Sequence, residues 1–258
     1  MNLIQGTLQT RQLGREITYY PFTDSTNEDL WQLLDKGAAV TGQVVVTDNQ
    51  RSGRGRKGRR WFCAPNLGLP FSVLLCPDLS IDRLGLLSLA MGVAVIDALA
   101  ADGIESRLKW PNDILVDRRK LGGILAESRP SDEGLVVVMG VGLNVNEQLE
   151  DFPDQLRPTA VSVHMVLGKP LPRELLLTRI LNRFEQLLES NLAGVIALWH
   201  ARCAHLGQLV RWHSPEGLVE GRFLGVNEAG EGEIDSGDQI RVVTAGDLDW
   251  KPERFIIA

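Results

Sequence analysis

Hydrophobic residues change their spacing once along this chain. From Ile17 to about His205, short runs rich in β-branched residues alternate with segments of helical periodicity. After Leu206 the helical period is lost, and turn sequences separate short apolar runs every eight to ten residues. We therefore predict a domain of helices and strands over residues 1–205, followed by a small β barrel or meander over residues 206–258.

Three segments of the first part have the composition of buried strands. Residues 43–47 are rich in valine, residues 71–76 are apolar, and residues 135–141 form a continuous apolar run. Short runs of this kind are typical of strands that are buried on at least one face. We predict a strand at each of the three positions.

A long helix is predicted between Ser80 and Gly103. Ser80 is a favourable N-cap residue and Gly103 a favourable stop, which gives a helix of roughly twenty residues. The most apolar stretch, residues 84–101, contains Asp97 and follows Asp82 closely. These charges favour a buried helix over a membrane span.

Two other helices are expected. A short one should begin near Glu28, and a longer one should begin at Pro172. The longer helix has apolar residues at four-residue steps: Leu176, Ile180, Phe184 and Leu188. Gly194 is expected to break it before a short continuation through Trp199.

Composition limits the classes of function. The chain has 258 residues, is 44% hydrophobic and carries a formal net charge of -6, with a pI near 5.3. This excess of acidic over basic residues argues against a general nucleic-acid or membrane-surface binder. The three cysteines form no C-x-x-C pair, and His200 and His205 miss the i, i+4 spacing, so we predict neither a zinc site nor a disulfide scaffold. The N-terminus lacks the layout of a signal peptide, and we expect a reducing cytoplasm.

One segment departs from the acidic balance. Residues 51–60 contain six basic residues, three glycines, one serine and no acid, and Trp61 follows them. Removing these six from the 27 basic residues leaves 21, against 33 acidic ones. Such a cationic loop on an acidic body is expected to bind an anion. Arginine forks match phosphate oxygens, and glycines let the backbone approach them.

The loop admits three interpretations. Its glycines match the dinucleotide fingerprint G-x-G-x-x-G, but residues 59–70 contain two prolines and a glycine where that fingerprint needs a helix. An arginine-glycine arm that binds nucleic acid would show strong salt dependence. We favour a mobile phosphate-binding lid. Trp61 then offers a face for a purine, unless it is a core aromatic beside solvated arginines.

Two further segments carry candidate chemistry. Residues 109–113 read Lys-Trp-Pro-Asn-Asp, and residues 114–127 predict a strand, a charged turn and a second strand. Upstream, Ser25 and Thr26 precede the helix near Glu28. There they serve either as a helix N-cap or as binding residues.

Taken together, these segments resemble the biotin protein ligases, which adenylate biotin and transfer it to a lysine of a carrier protein. The matching motifs are Ser25-Thr-Asn27, Gln50 with Gly53-Arg-Gly-Arg-Lys-Gly-Arg-Arg-Trp61, Lys109-Trp-Pro-Asn-Asp113, Lys120-Leu-Gly-Gly-Ile-Leu125 and Gly140-Val-Gly-Leu-Asn-Val-Asn146. Their order and spacing agree from about residue 17 onwards. The resemblance implies an α+β catalytic domain like that of class II aminoacyl-tRNA synthetases, with a mixed or antiparallel sheet, followed by an SH3-like barrel.

The resemblance also implies roles for individual residues. The implied biotin-binding residues are Ser25, Thr26, Asn27, Gln50, Arg54, Gly55, Arg56, Lys120, Gly123 and Leu125. The implied ATP-binding residues are Arg54, Arg56, Arg59, Trp61, Lys120 and Asn144. The implied catalytic residues are Lys120, Arg56, Lys109 and Asp113. Of these, Asp113 would either orient Lys109 or receive the acceptor lysine.

Cofactors and partners follow from the same resemblance. ATP, with Mg²⁺ carried on it, and biotin would be bound, and no residue is assigned as a metal ligand. The acceptor would be a biotin carboxyl carrier protein of acetyl-CoA carboxylase or another biotin-dependent carboxylase. We expect no DNA or membrane partner, because the sixteen residues before Ile17 are too few for a DNA-reading domain. A homodimer is compatible with the family.

The sequence departs from the family pattern at one motif, and one other class of enzyme is compatible with it. Gly68-Leu-Pro70 stands where the family often has Asn-Leu-Tyr, and Pro70 removes a backbone donor at a strand start. A lipoate ligase of related fold is the alternative enzyme. It would release pyrophosphate from ATP with lipoate and not with biotin.

Overall fold

Two sheets organise this computed structural model, which describes residues 7–132, 134–214, 217–244 and 246–250. The larger sheet has seven strands: β1 (Ile17–Tyr20), β2 (Val44–Thr47), β3 (Leu69–Leu75), β4 (Arg107–Lys109), β5 (Asp113–Val116), β6 (Arg119–Ser131) and β7 (Gly134–Leu143). Their spatial order is β1-β2-β3-β7-β6-β5-β4. Only the β1–β2 pair is parallel, so the sheet is mixed. The three predicted strands correspond to β2, β3 and β7.

Helices cover both faces of this sheet. They are α1 (Thr26–Asp35), α2 (Gly85–Ala100), α3 (Val163–Leu167), α4 (Arg173–Glu189) and α5 (Val195–His200). Helices α2 and α4 pack on the face that carries Val73 and Met139. Helix α1 packs through Leu30 and Trp31 on the other face, which carries Leu74. Side chains alternate between the faces of a strand, so β3 and β7 contribute to both layers.

The predicted long helix forms, but its start was placed wrongly. Ser80 precedes a 3-10 turn at Ile81–Arg83, and α2 begins only at Gly85. Gly103, with φ of +78°, ends the segment as predicted. The segment Ile81–Ala100 is long and apolar enough to cross a membrane, yet about 67% of its most apolar window is buried inside the protein. It is therefore the central core helix.

The later helices follow the sequence pattern. Pro172 is the N-cap residue of α4, whose stripe of Leu176, Ile180 and Phe184 is fully buried. Gly194, with φ of +74°, separates α4 from α5. A positive φ is cheap only for glycine, which explains the break at this position.

The second sheet is antiparallel and contains five strands: β8 (Leu209–Ser214), β9 (Gly217–Val226), β10 (Gly232–Asp235), β11 (Ile240–Val243) and β12 (Asp247–Asp249). Its order is β11-β10-β9-β8-β12. Phe223 and Ile234 of this sheet belong to the same core as Trp110 and Trp199. The small sheet is therefore packed against the larger part of the protein.

Candidate active site

An open cleft lies where α1, the loop after β2, the β4–β5 connection and strands β6, β7 and β12 meet. It encloses about 1040 Å³, including the open space at its mouth. The residues that the sequence predicted for the site and that line this cleft are Ser25, Thr26, Asn27, Gln50, Arg54, Gly55, Arg56, Arg59, Trp61, Lys109, Asp113, Lys120, Gly123 and Leu125. The fold thus brings together motifs that are up to 100 positions apart in the chain.

Two glycines of β7 form the floor of the cleft. A Cβ atom on Gly140 would lie 2.2 Å from Asn27 Oδ1, and one on Gly142 would lie 2.4 Å from Trp61 Nε1. On the same face of β7, Val138 packs under α1. Because neither glycine has a side chain, Asn27 and Trp61 can pack directly against this face of the sheet.

The first turn of α1 is capped by a residue from another segment. Ser25 occupies the N-cap position, but its side chain makes no capping hydrogen bond. Instead, the backbone N–H of Thr26 donates to Gln50 Oε1 at 3.0 Å. The Ser25 hydroxyl is therefore not needed to cap the helix, and Ser25 lines the cleft.

Asn27 is held in a closed hydrogen-bond arrangement. Its Oδ1 accepts from the Ser72 hydroxyl at 2.6 Å, and its Nδ2 donates to Glu127 Oε2 at 2.8 Å. The Thr26 and Ser72 hydroxyl oxygens lie 2.6 Å apart. Ser72 is fully buried and Asn27 is 4% exposed. This arrangement fixes one wall of the cleft before any ligand binds.

The cationic loop is folded as a tight hairpin in this structure. Arg54 and Arg60 form an antiparallel bridge, and the N–H of Gly55 donates to the carbonyl of Arg59 at 2.7 Å. Lys57, with φ of +56°, lies in the 3-10 turn at the tip. No α-helix follows the glycines, so the dinucleotide fingerprint lacks its required context. Four arginines of this hairpin, Arg54, Arg56, Arg59 and Arg60, line the cleft, and Arg54 also binds Glu28 of α1 at 2.9 Å.

Lys120 is oriented by two neighbours. Its Nζ lies 2.5 Å from Asp113 Oδ1 and 5.7 Å from the centre of the Trp61 ring. The β5–β6 turn at Asp117 and Arg118 has positive φ at both residues, as a two-residue hairpin requires. This turn carries the chain back so that Lys120 and Asp113 meet.

Asp113 binds Lys120 and not Lys109 in this structure, so the predicted role of orienting Lys109 is not seen. In the β4–β5 register it stands opposite Lys109, but its carboxylate binds Lys120. A bulge between Ile114 and Leu115 shifts the pairing with β6. The shift brings Lys120 within reach of Asp113.

Asn144 lies behind the cleft and does not line it. It is 4% exposed, and its Nδ2 donates to the carbonyls of Lys120 and Val161 at 3.3 and 3.1 Å. The Lys120 backbone is held at a second point, because the Lys120 N–H donates to the carbonyl of Thr159. The structure therefore shows Asn144 as a support for the Lys120 backbone.

Sequence reasoning missed several residues of the site. Trp110, Pro111 and Asn112 line the cleft, and the Asn112 side chain donates to the Ile124 carbonyl at 2.7 Å. Asp249 of β12 also lines it, beside Gly246 and Leu248. The alternation Gly140-Val-Gly142 inside an apolar strand was the available signal for the floor. No local signal marked Asp249.

Pro70 has a limited effect on the sheet. It is the second residue of β3 and stands opposite Gly142. Strand β2 pairs with β3 only from Phe71 onwards. The missing N–H of Pro70 therefore costs no hydrogen bond to β2.

Two buried groups beside the cleft have shifted pKa values. Burial raises the pKa of the Cys63 thiol to about 12, with a contribution from the nearby Glu147 carboxyl. Burial likewise raises the pKa of Glu147 to about 7. Cys63 therefore remains a thiol near neutral pH and is no nucleophile, although it lies two residues after Trp61.

Comparison with known proteins places the chain among ligases. A profile of the Biotin/lipoate A/B protein ligase family matches residues 19–144. The Biotin--[acetyl-CoA-carboxylase] ligase of Mycobacterium tuberculosis is 35% identical over 245 residues, which cover 91% of this chain and 88% of that protein. The Bifunctional ligase/repressor BirA of Bacillus subtilis is 30% identical over 252 residues, which cover 95% of this chain and 77% of that protein.

Solved structures show the same relationship. The biotin protein ligase from Aquifex aeolicus in complex with biotin and ATP superimposes with a TM-score of 0.79 at 28% identity. The match covers 93% of this chain and 100% of that one. It therefore includes both sheets, and the similarity is not confined to the part that carries the cleft.

Proposed function

The chain belongs to the biotin protein ligases and is an ATP-dependent biotin ligase, and we propose that the cleft described above carries out both half-reactions of this enzyme. In the first, biotin and ATP form biotinyl-5′-adenylate and pyrophosphate. In the second, a lysine of a biotin carboxyl carrier protein takes the biotin and AMP leaves. The observation that carries this proposal is the convergence of Thr26, Gln50, the arginine hairpin and Lys120 on one cleft.

Biotin is proposed to bind at the α1 end of the cleft. Ser25, Thr26 and Gln50 offer hydroxyl and amide groups there, beside the locked Asn27 side chain. The ureido ring of biotin has N–H donors and a carbonyl acceptor, so it needs such groups in fixed positions. The strand that carries Gly123 and Leu125 forms the adjacent wall.

The nucleotide is proposed to bind at the other end, between the arginine hairpin and Trp61. The carboxylate of biotin must approach the α-phosphorus of ATP, which places two anions side by side. Lys120 lies between Asp113 and the Trp61 ring, where its ammonium group can lower that repulsion. Arg54, Arg56 and Arg59 supply further positive charge. Asn144 holds the Lys120 backbone in place.

The acyl-adenylate reacts with water, so the site must also exclude solvent. The hairpin that contains Arg54, Arg56 and Arg59 lies beside the cleft mouth and is rich in glycine. We propose that it closes over the intermediate. Lysine attack on the acyl carbon then releases AMP. No serine, cysteine or histidine of the enzyme forms a covalent bond in this scheme.

Magnesium is proposed to arrive on the ATP phosphates. Within the described parts of the chain, no group of three or more histidine, cysteine, aspartate or glutamate residues could hold a metal ion by itself. When bound, the ion would supply charge neutralisation at the phosphates.

Further features of the chain belong to the same proposal. The larger part, residues 1–205, is proposed to be a catalytic domain of the class II aminoacyl-tRNA synthetase type, and residues 206–258 an SH3-like barrel. Support comes from the separate antiparallel sheet that starts at Leu209. We further propose a cytoplasmic enzyme without DNA or membrane partners. A homodimer remains compatible with it.

The direct experiment is ATP-dependent transfer of radiolabelled biotin to a purified biotin carrier domain. We expect biotinyl-adenylate as an intermediate and stoichiometric release of pyrophosphate and AMP. A parallel reaction with lipoate tests the alternative. The family profile includes lipoate ligases, but the relatives described above are biotin ligases. Release of pyrophosphate with lipoate and not with biotin would overturn the proposal.

A further inference from the structure

The cleft has an excess of positive charge that the acceptor lysine must overcome. Among the described residues that line it, six are basic: Arg54, Arg56, Arg59, Arg60, Lys109 and Lys120. The carboxylates that line it are those of Asp113 and Asp249, and a third, that of Glu28, binds Arg54 at 2.9 Å. This charge suits adenylate formation, which brings anions together. After pyrophosphate leaves, the same charge repels an incoming ammonium group.

The two carboxylates differ in their partners. Asp113 is bound to the Lys120 ammonium at 2.5 Å, and its side chain is 23% exposed. The Asp249 carboxylate is 63% exposed and lies 3.0 Å from His213 Nε2. Asp113 is thus already engaged by a fixed cation inside the cleft. Asp249 is held by an imidazole and remains open to solvent.

The small sheet determines where Asp249 stands. Strand β12 pairs with β8, and the fully buried Leu248 anchors β12 in the shared core. The neighbouring Gly246 lies so close to Trp212 that an added Cβ would be 2.0 Å from its indole nitrogen. These contacts fix the β12 backbone at the wall of the cleft. The Asp249 side chain then stands on the solvent side of that wall.

One basic residue of β8, Arg211, stands directly opposite Asp249 in the register. Arg211 of β8 is bound to Glu220 of β9 at 2.5 Å. In the register, His213 stands opposite Leu218 of β9 and Asp247 of β12. The fixed cation on this face is therefore already paired. His213 is the described partner of Asp249.

We infer that Asp249 receives the ammonium group of the acceptor lysine and that His213 positions the Asp249 carboxylate for this contact. The inference rests on the proposed function and deepens it, because it assigns a residue of the small sheet to the transfer half-reaction. The lysine loses one proton to water at the cleft mouth. Its nitrogen then attacks the acyl carbon, a C–N bond forms, the C–O bond to AMP breaks, and the second proton leaves the nitrogen.

The test uses the full-length enzyme and separates the two half-reactions. Biotinyl-adenylate is first formed on the enzyme and then treated with one of two small nucleophiles. Nα-acetyllysine amide arrives as an ammonium ion, whereas hydroxylamine is uncharged at pH 7.5. The variants are Asp249→Asn and His213→Gln. Glu228→Gln is the matched control, because it removes an exposed carboxylate from the β9–β10 turn of the small sheet and leaves the Arg211–Glu220 ion pair intact.

Asp249→Asn is expected to lower the second-order rate with acetyllysine amide by about tenfold, as the loss of a hydrogen bond to a charged group requires. Adenylate formation and the hydroxylamine rate should stay within about twofold of the wild type, since neither involves a cationic nucleophile. His213→Gln should show a smaller loss with the same selectivity. Glu228→Gln should leave all three rates unchanged.

Three results would overturn the inference. An unchanged rate of the Asp249→Asn variant with acetyllysine amide would show that Asp249 does not bind the lysine. Equal losses with both nucleophiles assign Asp249 a structural role, and slower adenylate formation assigns it to the nucleotide. If the wild-type enzyme itself forms no adenylate from biotin and ATP, the proposed function is wrong, and the inference about Asp249 is wrong as well. That failure is separate, since it is read from the wild type alone.

Discussion

Single residues of the cleft depend on neighbours that fix their charge and direction. Lys120 shows this most clearly. Asp113 holds its ammonium group, and Asn144 and Thr159 hold its backbone. A long lysine side chain loses much rotamer freedom when it is ordered, and these contacts supply that order before substrates bind. The catalytic charge is therefore placed by residues that need not touch the substrate themselves.

Lys120→Ala tests this arrangement at the residue scale. Removal of a fixed cation at the reacting phosphate is expected to lower the rate of adenylate formation by about 10²- to 10³-fold. Pyrophosphate release in single-turnover reactions is the measurement. Cooperative thermal unfolding should persist, because Lys120 is 40% exposed. Lys169→Ala, on an exposed turn, is the control, and near-normal turnover of Lys120→Ala would rule out the assigned role.

Glu147 gives a second prediction at this scale, which concerns stability. Burial raises its pKa from the usual 4.5 to about 7, although backbone N–H groups of Val145 and Glu147 act in the opposite direction. The folded state therefore keeps a proton that the unfolded chain releases. Stability from this group is complete below pH 4.5 and is lost as pH rises to about 7. The full loss is about 3 kcal/mol.

Glu147→Gln should remove this dependence, because an amide stays neutral at every pH in the range. We expect its free energy of unfolding, relative to the wild type, to be higher at pH 8 than at pH 4.5. Urea titrations at both values provide the measurement. Glu150→Gln, an exposed glutamate three residues away, is the control. A pH-independent difference between Glu147→Gln and the wild type would contradict the assigned titration.

At the scale of elements, β7 separates the core from the cleft through the alternation of its side chains. Met139, Val141 and Leu143 face the large core. On the opposite face, the two glycines admit Asn27 and Trp61. One strand thus provides a hydrophobic surface and a flat binding floor, because successive side chains point to opposite faces.

Gly140→Ala and Gly142→Ala form a matched pair of tests for this floor. Each adds one methyl group to the same face of the same strand, but the neighbours differ. The first collides with Asn27 and the second with Trp61. Each added methyl group displaces the cleft residue that it meets, and a loss of about 1.4 kcal/mol of binding free energy raises the affected KM roughly tenfold. Gly140→Ala should raise the KM for biotin, and Gly142→Ala the KM for ATP. An identical change in both constants for both variants would contradict the division of the cleft.

At the scale of the whole molecule, the two sheets share one hydrophobic core, and His205 lies at their junction. It is fully buried, and its ring centre lies 4.4 Å from that of Phe223. Burial, with a contribution from the charge of Lys109, lowers its pKa to about 3. A neutral histidine is therefore built into the contact between the small sheet and the part that carries the cleft.

Acid should weaken the molecule at this junction. The unfolded chain binds a proton near pH 6.5 and the folded chain only near 3, so stability from His205 is complete above pH 6.5 and is lost as pH falls. At pH 5 the loss is about 2 kcal/mol. His205→Phe keeps an aromatic ring and removes the titration. Its free energy of unfolding, relative to the wild type, should rise between pH 7 and pH 5. His164→Phe is the control, and a flat difference for His205→Phe would refute the assignment.

The sequence alone was sufficient for most of the helices and strands and for the motifs that line the cleft. Apolar runs located β2, β3 and β7, and four-residue periodicity located α4 with its break at Gly194. These features are local, because the spacing of side chains along a helix or strand sets which face is buried. The ordered motifs also named nearly all residues that line the cleft. Ser80 failed as the helix start because a favourable cap residue does not exclude a preceding 3-10 turn.

Only the tertiary structure decided which groups meet. Asp113 binds Lys120 and not Lys109 because a bulge shifts one strand register. Asn144 turns inward to support a backbone carbonyl of Lys120, and Asp249 reaches the cleft from a sheet formed at the far end of the chain. The sequence by itself determined the periodicity, the motifs and the charge of the loop. It did not determine these contacts, because they depend on how elements far apart in the chain pack together. A local pattern carries no information about that packing.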